Sequence, residues 1–185
     1  MDDSKIKLFK KLAGQEVFEQ FHGRTEAERT LGAQLLLSEV LEYVIKGLGV
    51  EPEFNGTKIT DANALSYHIK EDDVDHEEML DGLADVAYTM YWNSNCFGLK
   101  LHEAFDLICD NNLEKFVHLS EWTGEAGELP KEGWALDRGV EWPDTVRTVS
   151  VVKVGDEFYA VGKDESGKVR KPSTYKPVDL KPLLN

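Results

Sequence analysis

The sequence is short of cysteine and has no long apolar run, and both shortages exclude whole classes of protein. Two cysteines among 185 residues cannot form the disulfide framework of a small secreted domain, and their spacing does not match a metal knuckle. No apolar stretch approaches the roughly 20 residues needed to cross a bilayer. The first residues, MDDSKIKLFKK, lack the apolar segment and cleavage site of a signal peptide. We therefore expect a cytoplasmic protein with no membrane partner.

Positive charge is scarce as well. The chain has 21 Lys and Arg against 35 Asp and Glu, which gives a formal net charge of −14. A nucleic-acid partner is not expected, because binding its phosphates requires cations that displace the counterions. A small phosphate ligand remains compatible with this charge if a divalent metal ion bridges the negative groups.

Apolar residues at helical spacing predict that most of residues 1–116 is helical. The stretch QEVFEQFH (15–22) predicts a first helix. Thr25 and Glu28 have the spacing of a capping box, which predicts that a second helix begins there and runs to Lys46.

Two further helices are predicted. The third begins near the acidic cluster EDDVDHEE (71–78), whose charges suit the positive end of a helix dipole, and ends near Gly98. The fourth covers residues 101–116. Short connections favour antiparallel neighbours, so residues 1–116 are predicted to form a compact helical bundle.

The pattern changes after residue 116. Residues 117–163 hold three of the four tryptophans and the stretch TVSVVKVGDEFYAVGK, which predicts a β-hairpin turning at Gly155 and Asp156. Residues 164–185 form a basic tail that we expect to fold back on the bundle. The expected fold class is therefore mainly α: one structural domain with a C-terminal β-hairpin insertion and an extended basic tail.

Carboxylates interrupt two of the apolar helices. Glu39 and Glu42 lie one turn apart on the second helix, and Glu78, Asp81 and Asp85 form a stripe on the third. An unpartnered buried carboxylate costs on the order of several kcal/mol, so two such stripes facing each other need a cation. Mg²⁺ is the natural candidate, because it takes oxygen ligands and binds substrate phosphates. A solvated helix face is the alternative interpretation of each stripe.

The acidic segments resemble a known family. LLLSEVLEY followed by DGLADVAYTMYW is similar to the signature of the all-α nucleoside triphosphate pyrophosphohydrolases, the superfamily of MazG, dimeric dUTPases and phosphoribosyl-ATP pyrophosphohydrolase. The similarity is closest to the phage and bacterial MazG-like branch. That branch also has an SNMSK-like stretch and a DGK…K…Y.P.D ending, which resemble NNLEK (111–115) and SGKVRKPSTYKPVDL (166–180) here.

The sequence departs from the family pattern of Glu-Glu-x-x-Glu on one helix and Glu-x-x-Asp on another. The first glutamate of the pattern falls on Ser38, and the glutamate of the second pair falls on Gly82. Asp81, one turn before Asp85, is the residue that we expect to supply the missing carboxylate.

The resemblance implies a MazG-like helical bundle and Mg²⁺-dependent cleavage of a nucleoside triphosphate to a monophosphate and pyrophosphate, with Mn²⁺ as a substitute metal. The implied metal ligands are Glu39, Glu42, Asp81 and Asp85. Glu78 is a further catalytic candidate, as acceptor of a proton from the attacking water. The implied role is nucleotide pool control in the cytoplasm, or in the host cytoplasm if the protein is phage-encoded, and the favoured substrate is dGTP or GTP.

The resemblance also implies residues that bind the substrate. Asn112 and Lys115 match the SNMSK-like stretch, and Lys168, Lys171 and Tyr175 match the basic ending. For Lys115 the alternative is an ordinary solvated lysine, and for the tail it is a solubilising terminus. The tryptophan-rich segment has no counterpart in the family, and a lid, an oligomer contact and a specificity element all remain open for it.

Two rival functions follow from the residues. A di-iron bundle needs two Glu-x-x-His motifs, and the chain has one, Glu19 to His22. A catalytically silent MazG-like dimer that binds nucleotide or a partner protein is the stronger rival, because Ser38 replaces a glutamate.

The second helix has apolar residues on most sides, which predicts a homodimer or homotetramer.

Overall fold

The four α-helices end by Leu113 and the strands of the larger sheet begin at Val117, in a computed structural model that describes residues 2–70, 73–136 and 138–184. The helices are α1 (Ser4–Leu12), α2 (Glu26–Glu42), α3 (His76–Phe97) and α4 (Leu101–Leu113), and a π-helical turn, Tyr43–Gly47, continues α2. The strands are β1 (Glu53–Phe54), β2 (Thr57–Lys58), β3 (Val117–His118), β4 (Gly127–Glu128), β5 (Val146–Val154) and β6 (Glu157–Asp164). Short 3₁₀ turns cover Lys131–Gly133 and Lys181–Leu184.

The chain divides into two compact units. Unit 1 consists of Met1–Glu19 and Val86–Asn185, and unit 2 of Gln20–Asp85. None of the helices in the described residues is long and apolar enough to cross a membrane.

A four-stranded antiparallel sheet forms the centre of unit 1. Its strand order is β3-β6-β5-β4, and the two long strands pair from Val146↔Asp164 to Val154↔Glu157. The hairpin that joins them turns at Gly155 and Asp156, as the sequence predicts, and Gly155 has a φ of 62°, which glycine adopts at little cost.

Both faces of this sheet are buried, because alternate residues of a strand point to opposite sides. Val149, Val151 and Ala160 lie in the core on one face. Val161 lies in the core on the other face, where Leu12 of α1 packs with it. Each fully buried aliphatic side chain stabilises the fold by about 1.5–3 kcal/mol.

Tryptophans cover the first of these faces. Trp142 lies against Gly162, where an added Cβ would be 2.4 Å from the indole ring. The indole N–H of Trp142 donates to the carbonyl of Trp134 at 2.9 Å, and that of Trp134 donates to the carbonyl of Leu129 at 3.2 Å. The tryptophan-rich segment is therefore part of the core of unit 1.

Unit 2 contains α2, the β1–β2 hairpin and the first half of α3. The predicted capping box begins α2: the Glu28 amide donates to Thr25 Oγ1 at 3.3 Å, and the Thr25 amide donates to Glu28 Oε2 at 3.1 Å. Among the described residues of this unit only Ala62 is buried. The apolar side chains of α2 are exposed or half-buried.

The fold-class prediction of a mainly α bundle is wrong. The protein is 41% helical with 14% strand, in sheets of two and four strands, so the class is mixed α and β. The reason is that β3 and β4, each only two residues long, pair with the outer edges of the hairpin and make it the centre of a sheet. Helices α1 and α4 then pack together, and α1 also contacts β5.

The predicted first helix is wrong, since the first helix of the chain is α1 (Ser4–Leu12), and one predicted boundary changes. The stretch 15–22 is not helical. Residues 71 and 72 of the acidic cluster lie outside the described residues, and α3 begins at His76. The Asp75 carboxylate accepts from the amides of Glu77 at 3.0 Å and Glu78 at 3.1 Å, which satisfies two of the free donors at the start of a helix.

Candidate functional site

The first predicted carboxylate pair lies at the end of α2. Glu39 is exposed and Glu42 is half-buried. The Lys46 ammonium donates to Glu42 Oε1 at 2.5 Å. This hydrogen bond raises the pKa of Lys46, and the negative charges of Glu42, Asp61 and Glu39 raise it further. Three carboxylates therefore act on one ammonium group.

A small cavity of about 110 Å³ adjoins this group, lined by Glu42, Ile45, Lys46, Thr60, Asp61, Ala62 and Asn63. Asp61 is a carboxylate that the sequence reasoning missed. It lies in a loop with no helical spacing to reveal it, and its only local signal is an Asx turn, in which its carboxylate accepts from the Asn63 amide at 2.9 Å.

The second predicted stripe follows one side of α3. Glu78, Asp81 and Asp85 are all exposed. Their spacing keeps them on one side because α3 runs without a break from His76 to Phe97.

The described residues do not bring the two stripes into one metal cluster. Within residues 2–70, 73–136 and 138–184, no three Asp, Glu, His or Cys side chains are placed to hold a metal ion. The donor chemistry still suits Mg²⁺, which commonly binds through one or two carboxylates and completes its coordination with waters and substrate phosphates. The magnesium site therefore stays a prediction.

The basic tail contacts α4 in unit 1. The buried Asn111 amide donates to the carbonyl of Lys176 at 2.6 Å and accepts from the Tyr175 hydroxyl at 2.5 Å. The Lys176 amide donates to Glu114 Oε2 at 3.3 Å. The structure therefore makes Asn111 a buried polar anchor of the tail.

Two of the three predicted phosphate-binding lysines contact residues at or next to this anchor. Lys115 Nζ donates to Asn112 Oδ1 at 2.6 Å, so these two predicted residues are in contact. Lys171 Nζ lies 4.5 Å from the centre of the Tyr175 ring, which is a cation–π distance. Lys168 has an exposed side chain.

Beside Lys168, a turn holds Asp164. Its carboxylate accepts from the Ser166 hydroxyl at 2.7 Å and from the Lys168 amide at 2.9 Å, and it pairs with Arg170. The Ser166 hydrogen bond, with the Lys168 and Arg170 bonds added, lowers the pKa of Asp164 to about 2. This turn therefore sets the path of the backbone at Lys168, just after the end of β6.

A second cavity, of about 170 Å³, lies between α1 and α4 and is lined by Lys5, Ile6, Phe9, Cys109 and Asn112. Lys5 Nζ is 2.7 Å from Asp110 Oδ1. Burial raises the pKa of the Cys109 thiol, so this cysteine is a poor nucleophile at neutral pH. The cavity is therefore lined mainly by apolar side chains, together with the Asn112 amide and the Lys5 ammonium.

Comparison with protein families, with curated proteins and with solved structures finds no match for this chain. The family resemblance therefore rests on the quoted motifs alone.

Proposed function

We propose that the protein is a Mg²⁺-dependent nucleoside triphosphate pyrophosphohydrolase that cleaves a (d)NTP to a (d)NMP and pyrophosphate, with (d)GTP as the favoured substrate. The observation that carries the proposal is that Glu42, paired with Lys46, lines a cavity together with Asp61 at the end of α2. In so acidic a chain, a divalent ion competes well with the single Lys46 ammonium for these carboxylates.

Glu39, Glu42, Asp81 and Asp85 are the proposed metal ligands. When bound, Mg²⁺ neutralises phosphate charge and polarises the phosphoryl oxygens. The Lys46 ammonium would compete with the metal ion for the Glu42 carboxylate, since Glu42 Oε1 accepts from it.

Glu78 is the proposed proton acceptor. The oxygen of a water forms a bond to one phosphorus of the α–β bridge, and the bond from that phosphorus to the bridging oxygen breaks. The water proton passes to the Glu78 carboxylate, and the monophosphate and pyrophosphate separate. Glu78 is exposed, and a carboxylate within reach of a water is able to act as a general base.

Lys115, Lys168 and Lys171 are proposed to bind the phosphates, with Asn112 and Tyr175 as polar neighbours. The contact of Lys171 supports this role, because its ammonium lies over the uncharged Tyr175 ring. An ammonium held by uncharged partners keeps its full charge for an anion.

The proposed assembly is a homodimer or homotetramer, and the proposed location is the cytoplasm, or the host cytoplasm if the protein is phage-encoded. The exposed apolar side chains of α2 support the assembly.

The test is a panel of canonical and deoxy triphosphates with Mg²⁺ or Mn²⁺, in which the nucleotide products are separated. We expect monophosphate and pyrophosphate, and we expect Glu39→Gln and Asp85→Asn to lower turnover at least a hundredfold with unchanged circular dichroism. Diphosphate with orthophosphate would refute the proposed bond, and a near-native rate in either variant would refute the ligand assignment.

A catalytically silent dimer that binds nucleotide or a partner protein is the second candidate. It is favoured by the absence, within the described residues, of a three-carboxylate group placed for a metal. Calorimetry with Mg²⁺ and a triphosphate, run beside the product assay, separates the two candidates. Binding without any product would favour the silent form.

A further inference from the structure

The cavity between α1 and α4 is formed entirely by residues of unit 1. It has a volume of about 170 Å³ and is lined by Lys5, Ile6, Phe9, Cys109 and Asn112. An apolar cavity of about 150 Å³ is large enough to bind one benzene molecule. The cavity therefore has room for a single six-membered ring.

The apolar wall of this cavity is held in place by the core of unit 1. The Phe9 ring meets the Phe116 ring edge to face, with ring centres 5.1 Å apart and an angle of 76° between the planes, and Phe116 is buried. Cys109 is buried as well, whereas Ile6 is 44% exposed and lies where the cavity opens to solvent. A wall fixed in this way needs little rearrangement to accept a ring, and aromatic rings pack favourably against one another.

The polar groups of the cavity are hydrogen-bond donors. The Asn112 amide oxygen accepts from the Lys115 ammonium at 2.6 Å, so what the amide offers a ligand is its NH₂ group. Lys5 Nζ is 2.7 Å from Asp110 Oδ1 and 4.0 Å from Asp106 Oδ1. The closer contact engages one of the three N–H groups of the ammonium. A ligand that uses these donors must supply acceptor oxygens.

The charge of the two helices that form the cavity favours an anion. Helix α1 carries four lysines and no acidic residue among its nine positions, although the whole chain has a net charge of −14. Helix α4 carries three acidic residues, and Lys115 follows it. The two helices together therefore hold more positive than negative charge, which attracts an anionic ligand.

We propose that this cavity binds a small aromatic carboxylate. One six-membered ring lies against Phe9 and Cys109, where its apolar surface is removed from water. The carboxylate lies at the open end and accepts from the Asn112 amide and the Lys5 ammonium, as charge-assisted hydrogen bonds. The binding does not depend on the proposed catalysis, because the ring and the carboxylate contact only residues of α1 and α4.

Titration of the isotopically labelled protein with benzoate, followed by nuclear magnetic resonance without nucleotide or metal ion, tests the site. We expect saturable shifts of the backbone amides of the lining residues, with a Kd of about 1 mM or below. Acetate lacks the ring and toluene lacks the acceptor oxygens, so each should bind about tenfold more weakly than benzoate or worse. Shifts that never saturate with benzoate would overturn the proposal, as would acetate or toluene binding as tightly as benzoate.

A pair of lysine variants on α1 tests the polar end of the site. Lys5→Met should weaken benzoate binding about fivefold, because it removes one partly exposed cation. Lys7→Met is the matched control: Lys7 does not line the cavity and pairs with Asp3 at 3.0 Å, so this variant keeps the wild-type Kd. An equal effect of the two substitutions, or none from Lys5→Met, would contradict the proposed carboxylate contact.

The Cys109 thiol reports on the apolar wall. The chain has an exposed cysteine, Cys96, and the buried Cys109, so Cys96→Ala leaves the cavity thiol as its only cysteine. We expect saturating benzoate to slow the reaction of this thiol with methyl methanethiosulfonate about fivefold or more, with the midpoint concentration found by titration. Cys109→Ala is the control, in which benzoate should leave the reaction of Cys96 unchanged. A Cys109 rate that benzoate does not alter, or equal slowing of the two thiols, would place the ligand outside the cavity and overturn the proposal.

Discussion

The Tyr175 hydroxyl donates to the Asn111 amide oxygen at 2.5 Å, which joins the C-terminal tail to the last turn of α4 across 64 residues of sequence. The same amide donates to the Lys176 carbonyl, so one buried side chain holds two successive residues of the tail. This contact places Tyr175 and Lys171 near α4, and it makes Asn111 a structural residue beside the proposed phosphate-binding residues.

Asn111→Ala should destabilise unit 1. It leaves the Tyr175 hydroxyl and the Lys176 carbonyl without this partner, which costs about 1–3 kcal/mol. Each kcal/mol lost lowers Tm by about 2–4 °C. Tyr175→Phe removes one hydrogen bond and should cost about 1 kcal/mol. Urea unfolding measures both. Asn95→Ala, at an exposed position, is the control and should change stability by less than about 0.5 kcal/mol; an equal loss in Asn95→Ala and Asn111→Ala would contradict the anchoring role.

Stability should depend on the ionisation of Asp164. Its folded-state pKa is lowered to about 2 from an ordinary 3.8, so the unfolded chain binds the proton more readily. The stabilisation is fully present above pH 4 and is lost as the pH falls towards 2. Asp164→Asn should lower the urea midpoint at pH 7. It should also narrow the difference between the urea midpoints at pH 7 and pH 2. An unchanged pH dependence in the variant would show that the turn around Asp164 does not contribute.

Gly162→Ala should disrupt the packing of Trp142. The new Cβ would lie 2.4 Å from the indole ring, and forcing a ring out of a filled core costs about 1–3 kcal/mol. Near-ultraviolet circular dichroism and tryptophan fluorescence should both change. Gly32→Ala in α2 is the matched control: no atom lies within 4 Å of its added Cβ, and alanine in a helix interior stabilises by about 0.5–1 kcal/mol. If Gly162→Ala unfolds at the wild-type urea concentration, Trp142 does not pack as described.

Lys46→Met should strengthen divalent-ion binding at the end of α2. The substitution removes the ammonium that bonds Glu42 and leaves the charges of Glu39, Glu42 and Asp61 uncompensated. Calorimetric titration with Mg²⁺ or Mn²⁺ should show at least a fivefold tighter Kd than in the wild type. Glu42→Gln should weaken binding instead. Weaker binding in Lys46→Met would mean that this carboxylate group does not hold the ion.

Local signals in the sequence predicted several elements correctly. Thr25 and Glu28 are three residues apart, and Gly155 and Asp156 form a two-residue turn, so the interactions that create these features lie within a few positions of the chain. The helix through the acidic stripe of Glu78 to Asp85 was predicted for the same reason. The stretch 15–22 shows the limit, because helical spacing alone did not make it a helix.

The two-residue strands show why the fold class was missed. Val117 pairs with Ala160, and Gly127 with Val151, across separations that no local pattern reveals. Asp61 and Asn111 are further examples, since each acts on residues that only folding brings near.

The sequence alone determined the helices α2, α3 and α4, the central hairpin and the spacing of the carboxylates, because periodicity and turn chemistry act between near neighbours. The tertiary structure decided that the hairpin is the middle of a sheet, that Trp142 packs in a core and that Asn111 holds the tail. Those outcomes depend on which distant surfaces bury one another, and burial is a property of the folded chain as a whole.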